Sequence, residues 1–521
     1  MNKASRSVTA PNYRDPQNLA GFCYFLAALL LLSSNFAYGG YREDVGQTQL
    51  VDELGANTPD GFGVKVTVVE DGGSAYAMDP SFYEFTGKNI NNVSPLGSFS
   101  GHAREVGSYF FGNARGLAPG IIDIEVLEVV DYASGENGIH VSDPRQPAIT
   151  TSRVSNASYG WDAGSAAVNS DFLRRIDWLT ERDELIQTIA VANVEEVTDL
   201  PLLTPAYNVI SVGRTDGGVL TGSLAVDGVY NANRAKPDIV APLDATSFNS
   251  PLVAGAAAVL VETGHDNPGL STDPVSTSTT NRNGDIIYNA ERAEVIKAAL
   301  MAGAERLTNN TTPDDISDYR ADSANQTDNG LDARFGAGQL NIYNSYHIIA
   351  AGEQNSIDDA VATGGFIGNS GFDYDPSFGG ANGSNSEASY FFSTGTTPAE
   401  LVASLVWNIA IDGGSIDDFD DTATFFNLDL FLYDITGAAS TNDWARLGSS
   451  ESIWDNTENL WMMLASDRDY AIQVMPGSGQ AFDWDYALAW QVTAVPVPAA
   501  LWLFGSGLIG LVGVARRRKS A

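Results

Sequence analysis

Lys236-Pro-Asp-Ile-Val-Ala-Pro242, followed by Leu243-Asp-Ala-Thr-Ser-Phe-Asn-Ser-Pro251 and Leu252-Val-Ala-Gly-Ala-Ala-Ala258, decides how the chain folds. The first stretch places Ile239-Val-Ala241 between two prolines. The small-residue run after Pro251 reads as a helix that its neighbours can approach closely. Between the two, Ser247 sits on the turn that opens the helix, near the positive end of its dipole. Its hydroxyl is then exposed, and backbone N–H groups there can face an oxyanion. Pro251 suits a first helical turn. By itself, Ser247 reads equally well as an ordinary N-cap.

Working outward, residues 61–352 alternate β-rich apolar runs with helical runs, the pattern of an α/β fold with a parallel sheet. Val64, Val66 and Val68 mark an early strand, and 121–130 and 209–212 mark others; 254–262 and 290–304 have helical spacing. From 356 to 493 short alternating runs at 401–411, 427–434, 470–475 and 486–492 are separated by Gly, Ser, Asn and Asp, which predicts a β-sandwich domain. Its aromatics Trp407, Phe431, Trp461 and Trp490 are expected in the core, and 380–387 in a loop. Residues 41–60 form a short polar lead-in.

The 521 residues are 44% apolar and 18% charged, a globular balance. With 65 acidic against 28 basic residues the net charge is −37, which repels nucleic acid and anionic lipid and favours cationic or neutral partners. Lys3, Arg6 and Arg14 precede the apolar run 19–32, so residues 1–40 read as a secretory signal. The single cysteine, Cys23, falls in that segment, so the exported part would hold no disulfide. At the other end Val495-Pro-Val-Pro498 leads into the apolar run 499–515 and then Arg516-Arg-Arg-Lys519. This predicts a terminal transmembrane helix, slightly short for a bilayer, with its basic end in the cytoplasm. The tail 495–521 closely resembles the PEP-CTERM sorting signal of Gram-negative bacteria, with Val497 where Glu is usual. The resemblance implies export, transient anchoring in the cell envelope, and cleavage by an exosortase; a plain tail anchor is the alternative.

Thr246-Ser247 with Pro251 and Val253-Ala-Gly255 resembles the nucleophile segment of the subtilase family of serine peptidases. Lys236–Pro242 and Tyr207-Asn-Val-Ile-Ser-Val-Gly-Arg-Thr-Asp216 resemble the two strands that precede that segment, and Phe335-Gly-Ala-Gly-Gln-Leu-Asn341 resembles the closing segment. A serine nucleophile needs a base, and the four histidines are His102, His140, His265 and His347. Gly101-His102-Ala-Arg-Glu-Val106 with Gly116-Leu-Ala-Pro-Gly120 resembles the family's His segment, which nominates His102; the other three are expected at the surface or in packing. Val66-Thr-Val-Val-Glu70-Asp71-Gly-Gly73 stands where the family's acid should be. Ungapped alignment favours Glu70 and leaves Asp71 as the alternative, and strand alternation keeps the two from being interchangeable. Ile189-Ala-Val-Ala-Asn193 nominates Asn193 as oxyanion donor, and Ser155-Asn-Ala-Ser-Tyr-Gly160 nominates Ser158, Tyr159 and Gly160 as substrate-binding.

Together these imply an exported serine endopeptidase acting on protein or peptide, needing no cofactor for its chemistry. Ala245 replaces the Gly before Thr246-Ser247, Asn249 replaces a small residue, and the segment from Pro242 to Thr246 is shorter than usual. These departures motivate the alternative of a catalytically inactive subtilase-fold binding protein. The sandwich resembles the pre-peptidase C-terminal type. Its acidic run Asp412, Asp417, Asp418, Asp420 and Asp421 offers oxygen ligands to a structural Ca²⁺, but the spacing fits no EF-hand and reads as a solvated loop.

Overall fold

The structure is a computed structural model, described over residues 40–72, 75–95, 97–160, 164–194, 203–308, 316–357, 365–379, 387–477 and 484–495. The expected signal before Gly40, the loop at 380–386 and the membrane segment 499–515 lie outside the described residues. Among the described residues no helix is long and apolar enough to cross a membrane.

Seven parallel strands form one sheet: β1 (Val66–Glu70), β2 (Asn89–Asn92), β3 (Asp123–Glu128), β4 (Val154–Ala157), β5 (Ile186–Ala190), β6 (Ile210–Arg214) and β7 (Ile239–Ala241), in the order β2-β3-β1-β4-β5-β6-β7. Every residue of β1, β4, β5 and β7 is buried. Helices cover both faces, so continuous Val/Ile runs replace the alternation of a half-exposed strand. The expected strand at 121–130 ends at Glu128, because the Glu128 side chain caps the next helix by accepting from Val130 and Asp131 N–H. β1 lies between β3 and β4, so the strand order reverses there and opens a crevice at the carboxyl ends of the strands.

The helices that matter for the crevice are α1 (Gly101–Phe110), α2 (Val129–Ser134), α3 (Ala166–Asp183), α4 (Thr246–Asp266) and α5 (Ala293–Ala302). α4 is buried along almost its whole length, and its small residues permit that. At Gly255 a Cβ would stand 3.1 Å from the Phe110 carbonyl and 3.0 Å from Leu117, so any larger residue there would push α4 and the end of α1 apart by a few tenths of an ångström.

The lead-in is not a loose linker. It forms helices Tyr41–Asp44 and Gln47–Leu54, and Val45 and Leu50 enter the main core. The C-terminal region is an antiparallel sandwich. One sheet orders Ser370–Phe378, Trp484–Ala494, Ala399–Val406 and Thr457–Leu464; the other orders Ala388–Ser393, Asp469–Pro476, Leu428–Asp434 and Ala445–Ser450. Trp407 and Trp490 fill its core, whereas Phe431 lies outside that cluster and Trp461 packs against the core of the parallel sheet. Phe372, Tyr374, Val402, Val406, Ala487 and Ala489 share that same core, so the two parts bury one continuous apolar surface.

Candidate active site

Glu70 ends β1, where the strand order reverses, and is 1% exposed. Asp71, one residue on, is exposed to solvent. α1 begins at Gly101 under a Ser100 cap, whose hydroxyl accepts from Ala103 N–H at 3.2 Å. That puts His102 in the first turn, and its Nδ1 lies 2.8 Å from Glu70 Oε2. The imidazole side chain is 39% exposed, so its far edge meets solvent. The bond to Glu70 raises the His102 pKa above that of a free imidazole, against burial, which lowers it. Burial raises Glu70 in turn, and its His102 bond opposes that. The second Glu70 oxygen, Oε1, is buried without a hydrogen-bond partner.

Ser247 is the second residue of α4, which starts at Thr246 without a side-chain cap. The geometry corrects the expectation for Pro251. It lies one turn deeper than a first-turn proline, four residues after Ser247. Lacking an N–H, it leaves the Ser247 carbonyl without its helical donor, and the Ser158 hydroxyl takes that place at 2.9 Å. Asn156 Nδ2 in turn donates to Ser158 Oγ at 2.9 Å. The residue that follows β4 therefore grips the start of α4 through a bond that a proline makes available.

Asn249 is fully buried and closes the short turn before α4. Its Oδ1 accepts from Leu243 N–H at 2.8 Å, and its Nδ2 donates to the carbonyls of Leu243 and Gly213. Asn249 thus ties the turn before α4 to its own helix and to β6. Asn193 Oδ1 accepts from Thr246 N–H at 2.8 Å, which fixes the amide orientation and leaves Nδ2 as the group available to donate. Tyr159 is half-buried with its hydroxyl unpartnered, and burial raises its pKa well above that of a free phenol; Gly160 is exposed.

The other histidines stand apart from this crevice. His140 is buried, with Nδ1 at 2.6 Å from the Gln146 carbonyl. His265 bonds Glu291 at 3.0 Å, and His347 Nε2 lies 3.3 Å from Glu53. In the acidic run, Asp412 and Asp420 accept from Gly414 and Thr422 N–H of their own loop. Among the described residues no three His, Cys, Asp or Glu side chains gather as a metal site.

Residues 494–519 match the family model described as the PEP-CTERM protein-sorting motif. The chain ends in a sorting motif. Such a motif indicates a secreted protein processed at the membrane in Gram-negative bacteria, and it is recognised by an exosortase. No curated protein matches the chain. Among solved structures, a lanthipeptide protease is similar at 13% identity, over 59% of this chain and 96% of that one, with a TM-score of 0.36. The CspB protease of Clostridium perfringens is similar at 12% identity, over 60% and 99%, with a TM-score of 0.36. The periplasmic g-type lysozyme inhibitor PliG of Aeromonas hydrophila is similar at 15% identity, over 25% and 95%, with a TM-score of 0.17. Likenesses of this size assign no activity.

Proposed function

We propose that the chain is an exported serine endopeptidase of the subtilisin type. The observation that carries this reading is the bond between buried Glu70 and the partly exposed His102 at the carboxyl end of β1, where the strand order reverses. The helix opened by Ser247 is held to the same strand ends through Ser158, Asn193 and Thr246.

Ser247 Oγ attacks the peptide carbonyl while His102 Nε2 takes its proton, and Glu70 holds the imidazole by Nδ1 and stabilises the imidazolium. Asn193 Nδ2 donates to the oxyanion. Collapse expels the amine with the proton from His102; water, activated by the same imidazole, then hydrolyses the acyl-enzyme. The chemistry needs no cofactor. Glu128 pairs with Glu70 in the β1–β3 register, and Asp71 lies beside them. Carboxylates at the crevice and a net charge of −37 favour neutral or cationic peptide segments.

The departures at Glu70, Ala245 and Asn249 leave a second reading, a catalytically inactive binding protein of the subtilase fold. Incubating the full chain with denatured protein separates the two. Cleavage that disappears in both Ser247→Ala and His102→Ala supports the peptidase; retained binding without cleavage supports the alternative.

A further inference from the structure

Phe248 follows Ser247 in the first turn of α4, and its ring touches two side chains of another helix. The His102 ring lies 5.9 Å away at 31°, and the Tyr109 ring 5.6 Å away at 39°. His102 and Tyr109 are seven residues apart on α1, two turns along one face. Tyr109 is itself fixed: Tyr41 packs edge-on against it at 5.6 Å and 78°, and the Arg115 guanidinium lies 4.1 Å over its ring. Arg115 is held by Glu105 at 2.7 Å, and the Tyr41 hydroxyl donates to the Arg115 carbonyl.

A half-exposed imidazole that, among the described residues, is hydrogen-bonded through Nδ1 alone can still swing about that one bond. Resting the ring on Phe248 removes that freedom, and the contact runs to the residue covalently joined to the nucleophile. We propose that Phe248 is a positioning residue, which couples the orientation of the His102 imidazole to the backbone of Ser247. The inference rests on the peptidase reading for its kinetic consequence, but not for its structural one. The charged group that acts on His102 is Glu70, bonded from β1; Asp71 follows Glu70 in the chain, and Arg104 and Glu105 lie on the same helix as His102.

The test is nuclear magnetic resonance titration of the full chain labelled in its four histidines, with His102→Ala to assign the signal, alongside labelling rates with a fluorophosphonate. Phe248→Leu keeps apolar volume and removes the ring. It should lower the His102 pKa toward that of a free imidazole, because a mobile ring spends less time on Glu70. It should also slow labelling by about tenfold to a hundredfold. Phe248→Tyr keeps the ring and should stay within about twofold of the parent, since imidazole orientation is then preserved. His265, in another part of the molecule, is the internal standard. If its titration also moves in Phe248→Leu, the comparison rests on Phe248→Tyr and Phe248→Trp, which must preserve the parent His102 value. An unchanged or raised His102 pKa with parental labelling in Phe248→Leu overturns the proposal, as does a lost value in the ring-keeping variants. A parent that never labels, but whose His102 titration responds as described, sinks the peptidase reading and leaves the positioning role standing.

Discussion

Glu70→Asp shortens one side chain by a methylene and asks whether the carboxylate must be where it is. The retraction is about 1.5 Å, one C–C bond. Added to the present 2.8 Å, it takes the oxygen beyond hydrogen-bond range of His102 Nδ1. Asp71 does not replace it, because it lies on the neighbouring, exposed position of the chain. Two consequences follow at different sizes. The shortened carboxylate stays buried without its partner, costing about 1–3 kcal/mol of stability. The imidazole loses its orienting acceptor, and serine labelling by a fluorophosphonate should fall by about 10²–10⁴-fold. Denaturant unfolding measures the first, and single-turnover labelling measures the second. Parental labelling by Glu70→Asp together with loss in Asp71→Asn would refute the reasoning and make Asp71 the acid.

Asn249→Ala leaves Leu243 N–H and the Gly213 carbonyl without their partner in a buried turn. It should cost about 1–3 kcal/mol in chemical denaturation and slow serine labelling as well; an unchanged midpoint contradicts the role of Asn249 in closing this turn. Glu353, 6% exposed at the start of the sandwich, has its pKa pushed up to about 7 by burial. Its folded pKa exceeds the unfolded one, so its contribution is intact below about pH 4.5 and is lost as pH rises to about 7, a change of about 3 kcal/mol. Glu353→Gln should flatten that part of the stability–pH profile; parallel profiles for parent and variant contradict it.

The sequence carried the α/β pattern because parallel strands buried on both faces must be short apolar runs, as Ile239–Ala241 and Val66–Glu70 are. The candidate residues stand out in the sequence because each lies at or just past a strand end or at a helix start, where local turn chemistry marks the boundary. The choice between Glu70 and Asp71 stayed open, since one residue of register moves the side chain to the other face. It is the Glu70 carboxylate that reaches His102. Long-range partnerships left no local signal. Pro251 frees the Ser247 carbonyl for Ser158, 89 residues away, and Asn249 bonds Gly213, 36 residues away. The rings of Phe248 and His102 meet only when two helices pack. The lead-in reads as polar because its few apolar residues are spread among charged and amide side chains, yet Val45 and Leu50 are buried.

The most direct measurement is to treat the full chain with a fluorophosphonate and map the adduct by mass spectrometry. A single adduct on the peptide carrying Ser247, abolished in His102→Ala, is the expected result. A folded chain that takes up no label, or takes it up elsewhere, contradicts the assignment of Ser247 and His102 as a working pair.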